Sequence, residues 1–209
     1  GLRCATMNLL INGDAKRIPL ADGSVDMVFT SPPFKDEDVD GDYWGEYHSW
    51  MEEIFRVVKK VAIIINSVTR LQGVIEEWPP NRVLAWGKGI NQCAYRWNPI
   101  FVYGIPPYKV NKYIWCDAFG VESITGKWKI HHYQDPTLLY KTIIGMFNDC
   151  DIILDPFAGS GTTGVACKLL GKRFIGIDID INCVTIAKKR AGNTMIPLAD
   201  GVDQLTIGV

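Results

Sequence analysis

Two short segments carry residue types whose spacing points to chemistry. In the first, Asp155-Pro-Phe-Ala-Gly-Ser-Gly-Thr-Thr-Gly164, glycines at 159, 161 and 164 follow an apolar run, Asp151–Asp155. Gly159 and Gly161 permit a tight turn and close approach of a ligand to the backbone. The N–H groups of the helix that follows, including those at Thr162 and Thr163, would face whatever the turn holds. Asp178 ends the next apolar run, where a carboxylate can accept hydrogen bonds from both hydroxyls of a ribose. The pattern suits a nucleoside cofactor. Gly159-x-Gly161-x-x-Gly164 also fits the dinucleotide fingerprint, so a nicotinamide cofactor stays open, as does a bare strand-to-helix turn.

The second segment is Ser31-Pro-Pro-Phe34, which directly follows the apolar run Val25–Thr30. Consecutive prolines fix the backbone and supply no N–H, so their carbonyls stand as unpaired acceptors. A hydroxyl, a carbonyl and an aromatic ring at a strand's carboxyl end suit a planar base bearing an amino group. Ser31 Oγ and the Pro32 carbonyl can hold the amino hydrogens, Pro33 stiffens the turn, and Phe34 can stack on the ring. A proline-rich turn that merely ends a strand is the bland alternative.

The elements that must position these segments fall into two regions. From Met7 to Asn66 the pattern predicts strands at Met7–Ile11, Val25–Thr30 and Val61–Ile65, with a helix over Trp44–Lys60 whose Trp50, Ile54, Val57 and Val58 share a face. From Pro136 to Arg190 it predicts helices at Pro136–Phe147, Thr162–Leu170 and Asn182–Arg190, alternating with strands Asp151–Asp155 and Phe174–Asp178. Continuous apolar strands alternating with amphipathic helices make an α/β protein with a mostly parallel sheet covered on both faces. At 209 residues, 47% hydrophobic and 22% charged, the chain fits one globular domain, 1–209, carrying a modest insertion.

With both signature segments and their supporting elements in view, the chain resembles the amino-methyltransferases of DNA. Their catalytic motif is (Asp/Asn/Ser)-Pro-Pro-(Tyr/Phe) and their cofactor motif Phe-x-Gly-x-Gly. The order here, catalytic motif first, is similar to the permuted β-type arrangement, and the resemblance covers nearly the whole chain. It implies a Rossmann-like S-adenosylmethionine-dependent methyltransferase fold and methylation of an exocyclic base nitrogen. Ser31 in place of aspartate resembles the branch acting on cytosine N4, with adenine N6 as the alternative target.

S-adenosylmethionine is the implied cofactor. Residues expected to bind it are Asp14, Thr30, Asp155, Phe157, Gly159, Ser160, Gly161, Thr162, Thr163 and Asp178, with Phe157 near the sulfonium and Asp14 near the adenine. Catalysis is expected of Ser31, Pro32, Pro33 and Phe34. The target must be flipped out of the duplex to reach them. No covalent intermediate on the enzyme is needed, and the six scattered cysteines, without a C-x-x-C pair, fit neither a nucleophile nor a structural metal site.

His131-His-Tyr-Gln-Asp-Pro136 departs from the family's His-Pro-x-Gln-Lys-Pro at His132 and Asp135. Asp135 is expected to cap the following helix, whose N-terminus the family uses for the cofactor's carboxylate. Lys35 to Asp42 is an acidic run, read as a solvated loop.

The overall charge of −1 hides an asymmetry. Between Arg82 and His132, seven basic residues face only Asp117 and Glu122, aromatic residues are frequent, and Pro99, Pro106, Pro107 and several glycines break regular structure. This stretch, 82–135, is read as an inserted target-recognition segment on the sheet edge, with Lys88, Arg96, Lys109, Lys112, Lys127 and Lys129 as candidate DNA contacts. Within it Trp97–Gly104 resembles a family strand near the base pocket, with Tyr95 and Trp97 as candidate lining residues.

Double-stranded DNA is the expected partner, and a restriction nuclease and a second copy of the chain are further candidates. With no membrane-length apolar run and no signal peptide pattern, a cytoplasmic place in a prokaryotic cell or phage-infected host is expected. Two other classes remain. A nicotinamide oxidoreductase leaves Ser-Pro-Pro-Phe idle, and a catalytically dead DNA-binding or regulatory protein would explain the acidic loop and Asp135.

One internal repeat stands apart. Ile18–Gly23 and Ile196–Gly201 both read Ile-Pro-Leu-Ala-Asp-Gly. The tail is read as a relic of the duplication that permuted the fold, with Leu205–Val209 expected as a strand beside the sheet.

Overall fold

The computed structural model describes residues 8–34, 42–88, 97–104, 117–120 and 135–191, together with the backbone of 194–197. Its centre is a nine-stranded sheet. The strands are β1 (Asn8–Asn12), β2 (Val25–Thr30), β3 (Val58–Ile65), β4 (Arg82–Gly87), β5 (Trp97–Gly104), β6 (Ala118–Gly120), β7 (Ile152–Asp155), β8 (Arg173–Asp178) and β9 (Thr194–Pro197). They lie in the order β6-β4-β5-β3-β2-β7-β8-β1-β9. Every neighbouring pair is parallel except those of β5, which runs against β3 and β4.

Each central strand is buried on both sides, which is why its sequence is continuously apolar rather than alternating. On β3, Val61, Ile63 and Ile65 enter one core while Ala62 and Ile64 enter the other. Helices α3 (Thr137–Gly145), α4 (Thr162–Leu170) and α5 (Ile181–Ala191) supply buried residues to the first core, and α1 (Tyr43–Val57) and α2 (Leu71–Glu77) to the second. Helix α1 opens with aromatic residues, which form helices poorly by themselves. It buries Tyr43, Tyr47, Trp50, Met51, Ile54 and Val57. At about 1.5–3 kcal/mol for a fully buried large apolar side chain, packing outweighs the propensity deficit. Asp42, the last member of the acidic run, accepts from Trp44 N at 3.1 Å and serves as the N-cap. Residues 35–41 lie outside the described residues.

The stretch 82–135 contributes β4, β5 and β6 to one end of the sheet, and Leu84, Trp86, Ile100 and Val102 to the first core. Its described parts are strands at that edge of the sheet, with side chains in the first core. Pro99 is tolerated in β5 because it stands opposite Ala85 of β4, whose N–H turns away to the Asp117 carbonyl. No bond between β4 and β5 therefore needs the missing N–H, and the pairing with β3 reaches only Ile65 with Ile100. The Pro99 carbonyl accepts from Asn66 N at 3.0 Å.

The two copies of the repeat begin differently. Ile18-Pro19 lies in a loop pinned to α1. Ile18 N donates to Glu53 Oε2 at 2.7 Å, and Arg56 donates to the carbonyls of Ile18 and Leu20, each at 2.8 Å. Ile196-Pro197 instead lies in β9, paired with Ile11 and Asn12 of β1. The expected strand Leu205–Val209 lies outside the described residues.

Candidate functional site

Strands β2 and β7 are hydrogen-bonded neighbours, with Val28 opposite Leu154. Their carboxyl ends therefore deliver the two signature segments side by side. One buried carboxylate joins them. Asp155, the last residue of β7, accepts from Thr30 Oγ1 at 2.7 Å, from Thr163 Oγ1 at 2.5 Å and from Phe157 N at 3.1 Å. Thr30 is the last residue of β2 and Thr163 lies in the first turn of α4, so this group ties strand end, glycine turn and helix together. Burial pushes its carboxyl up to about 6, against the opposing pull of the Thr163 and Thr30 hydroxyls.

The glycine turn is built as its residue types demand. Gly161 sits at φ 79° immediately before α4, and a Cβ there would lie 2.8 Å from Ala187 Cβ. Gly159 has φ 49°, and a Cβ on it would meet nothing nearer than the Phe157 carbonyl at 3.9 Å. The turn is thus closed against α5 at Gly161 and opens onto free space at Gly159. Arg190 of α5 clamps it from behind, donating to Ser160 O and Ser160 Oγ, each at 2.6 Å. Thr162 Oγ1 reaches the Asp135 carbonyl at 3.5 Å.

Several expected binding residues have structural partners. Asp178 ends β8 beside β1, and its carboxylate accepts from Gly159 N at 2.8 Å and from Asp180 N at 2.9 Å. It shapes the turn as well as facing it. Asp14 accepts from Lys16 N at 2.9 Å, just past the end of β1. Phe157 packs edge-on against Trp50 of α1, ring centroids 4.9 Å apart. Thr30, Thr163 and Ser160 are buried, their hydroxyls engaged with Asp155 or Arg190.

In the tetrapeptide, Ser31 is half-buried, Pro32 buried, and Phe34 packs against the first core. Arg70 donates to the Phe34 carbonyl at 3.3 Å while lying 4.1 Å from the centre of the Tyr43 ring. Sequence reasoning missed this residue, since no pattern links it to position 34. It also missed Asn98 on β5. This side chain leaves the sheet on the same face as Ile100 and is buried, and its Nδ2 has no hydrogen-bond partner among the described residues.

One expectation is corrected. Asp135 does not cap α3. Pro136 is the N-cap, without a side-chain cap bond, and Asp135 Oδ2 instead accepts from Tyr140 Oη at 2.7 Å. A carboxylate one residue before the cap position is better served by the buried phenol one turn into the helix.

Of the candidate DNA contacts, Lys88 lies at the end of β4, with its ammonium 5.2 Å from the Trp86 ring centre. Arg96, Lys109, Lys112, Lys127 and Lys129 lie outside the described residues, as do Tyr95 and His131 to Gln134. Cys150, Cys167 and Cys183 are buried thiols. Burial pushes all three thiols up, Cys150 and Cys183 to about 12. Among the described residues no group of three or more His, Cys, Asp or Glu could hold a metal ion, and no helix is long and apolar enough to cross a membrane.

Known proteins share this architecture and its sequence. A family model described as DNA methylase, covering the N6 and N4 enzymes, matches residues 107–189. The DNA adenine methyltransferase YhdJ of Escherichia coli K12 is 38% identical over 247 aligned positions, covering 87% of this chain and 81% of that enzyme. The Type II methyltransferase M2.DpnII of Streptococcus pneumoniae is 46% identical over 85 residues, 39% of this chain, and the chain spans 31% of its length. Among solved structures, the complex of M1.HpyAVI with SAM shares the fold, with a TM-score of 0.66 at 24% identity, over 88% of this chain and 98% of that one.

Proposed function

Because the chain belongs to the N6/N4 family of DNA methylases, we propose that its paired loops transfer a methyl group from S-adenosylmethionine to the exocyclic amino group of a flipped base, cytosine N4 being the favoured target. The observation that carries this is the Asp155 junction, which holds the Ser-Pro-Pro-Phe and glycine turns against one another.

The residues of the glycine turn fit the cofactor. Gly159 leaves room where a side chain would stand, α4 directs its first N–H groups into that room, and Asp178 at the end of β8 and Asp14 just past the end of the neighbouring β1 stand at its rim. Gly159 to Thr163 and Asp178 are the residues that would hold it. When bound, S-adenosylmethionine supplies an electrophilic methyl group.

The chain's own part is to bind and turn the base. Phe34 stacks on it, while Ser31 Oγ and the Pro32 carbonyl accept from its amino hydrogens. An amino nitrogen conjugated with its ring is a poor nucleophile. Acceptors matched to a tetrahedral nitrogen favour the geometry in which the lone pair is released and positive charge develops, and so act on the transition state more than the ground state. The buried Nδ2 of Asn98 would donate to a ring acceptor of the same base. The basic stretch between Arg82 and His132 would meet the phosphates of double-stranded DNA, and its target-recognition role belongs to this proposal.

Adenine N6 is the second reading. It is favoured by the identity with YhdJ, which is named an adenine methyltransferase, whereas Ser31 in the tetrapeptide favours cytosine. Radiolabelled S-adenosylmethionine and unmethylated duplex DNA test the proposal. Label is expected in acid-precipitated DNA, and calorimetry is expected to show cofactor binding. Cofactor binding without transfer to DNA would move the substrate elsewhere, and no binding at all would leave a DNA-binding protein without catalysis.

A further inference from the structure

The end of β1 grips the end of β8 with more than the sheet ladder. Asn12 stands opposite Asp178 in the parallel pairing, at the point where that register stops. Its side-chain Nδ2 donates to the Asp178 carbonyl at 3.0 Å and to the Ile179 carbonyl at 2.9 Å. Gly13 N adds a bond to the Asp178 carbonyl, also at 3.0 Å. The Asp178 carboxylate is held in turn by two backbone N–H groups. Oδ2 accepts from Gly159 N at 2.8 Å and Oδ1 from Asp180 N at 2.9 Å. The Ile179 carbonyl and the Asp180 N–H belong to one peptide unit, whose atoms are coplanar and turn together. Asn12 therefore grips one edge of a rigid plate whose other edge grips the carboxylate.

We propose that Asn12 is a positioning residue for the cofactor's ribose, acting through the Ile179–Asp180 peptide on the Asp178 carboxylate. The inference rests on the methyltransferase reading, in which Asp178 accepts from the ribose hydroxyls. The residue type fits the task. A primary amide carries two hydrogens on one nitrogen, enough to serve two carbonyls at once. Aspartate has the same size but only accepts when ionised, and it would set a charge against both carbonyl oxygens. Alanine leaves the peptide free to rotate about its flanking bonds. That rotation carries the Asp180 N–H away from Oδ1 and lets the carboxylate turn out of line with the hydroxyls. Ordering the carboxylate before the cofactor arrives spares binding that cost.

The test is calorimetric titration with S-adenosylhomocysteine, the cofactor without its methyl group, and with an analogue of it lacking both ribose hydroxyls. Asn12→Ala is expected to weaken the first about tenfold, the effect of one or two hydrogen bonds, and to change the second by less than about twofold. Asn12→Asp is expected to lose more, again only toward the ligand with hydroxyls. In an Asp178→Ala background Asn12→Ala is expected to cost nothing further, because Asn12 acts through Asp178. Both ligands titrate the same preparation, so a partly unfolded variant leaves the ratio of their affinities unchanged. An unaltered affinity for S-adenosylhomocysteine in Asn12→Ala, an equal loss with both ligands, or a full loss in the Asp178→Ala background overturns the inference alone. Failure of the wild-type protein to bind S-adenosylhomocysteine overturns it together with the reading beneath it.

Discussion

The turn after β7 and the turn after β2 stand side by side at the same edge of one sheet, yet they solve opposite problems. The first uses glycines and a helix start, so its backbone offers N–H donors and space, as at Gly159. The second uses two prolines, so its backbone offers carbonyl acceptors and no donors. Donors suit a cofactor that carries a carboxylate and ribose hydroxyls, and acceptors suit an amino group that becomes cationic as it reacts. A shared carboxylate, Asp155, locks the two together through Thr30 and Thr163. The lesson is that neighbouring strand ends can be given complementary polarity by residue types that change the backbone, with few charged side chains.

The contrast is broken most severely on the glycine side. Gly161→Val puts a β-branched residue at φ 79°, with its Cβ 2.8 Å from Ala187. Cofactor affinity measured by calorimetry should fall ~100-fold or more, about 3 kcal/mol. On the proline side, Ser31→Ala should lower the single-turnover rate by about a hundredfold or more while cofactor affinity stays near wild type. Loss of cofactor binding in that variant would show that the two turns do not divide the work.

The junction gives a prediction in pH. Because the folded carboxyl of Asp155 is held up near 6, the folded protein keeps a proton that the unfolded chain releases between about pH 4 and 6. Its contribution to stability therefore falls as pH rises through that window and is recovered on acidification, by on the order of 3 kcal/mol at most. Asp155→Asn should lose this dependence, so its unfolding midpoint, relative to wild type, is expected to improve at pH 7.5 and to lose that advantage at pH 5. Denaturant titrations at the two pH values measure it. The smallest effect is expected at the thiols. With Cys150, Cys167 and Cys183 buried and pushed up, brief treatment of the folded protein with a maleimide should leave those three unmodified by mass spectrometry.

The same two turns mark how far the sequence could be read. The bounds of β2 and α4 agree with the apolar pattern because Ser31-Pro32 and Gly161 are hard stops that act locally. Helix α2 went unread because Leu71–Glu77 is short and contains Gly73, and β4 because nothing in its local pattern marks it, whereas β5 was legible only through the resemblance of Trp97–Gly104 to a family strand. Pro99 is harmless because of how β3 and β4 pair on either side of it, which no local pattern contains. The roles of Asp135, Arg70 and Asn98 depend on contacts between elements remote in sequence. For the same reason the structural duty of Asp178 toward Gly159 was invisible, although its presence at the site was legible.

The most direct test of the central claim is nucleoside mass spectrometry of unmethylated duplex DNA incubated with the protein and S-adenosylmethionine. The account predicts methylation on nitrogen, as N4-methylcytosine. N6-methyladenine would keep the pairing of donor and acceptor turns and change the base. A product methylated on carbon, such as 5-methylcytosine, would contradict the account, because an acceptor turn that holds an amino group has no way to make it.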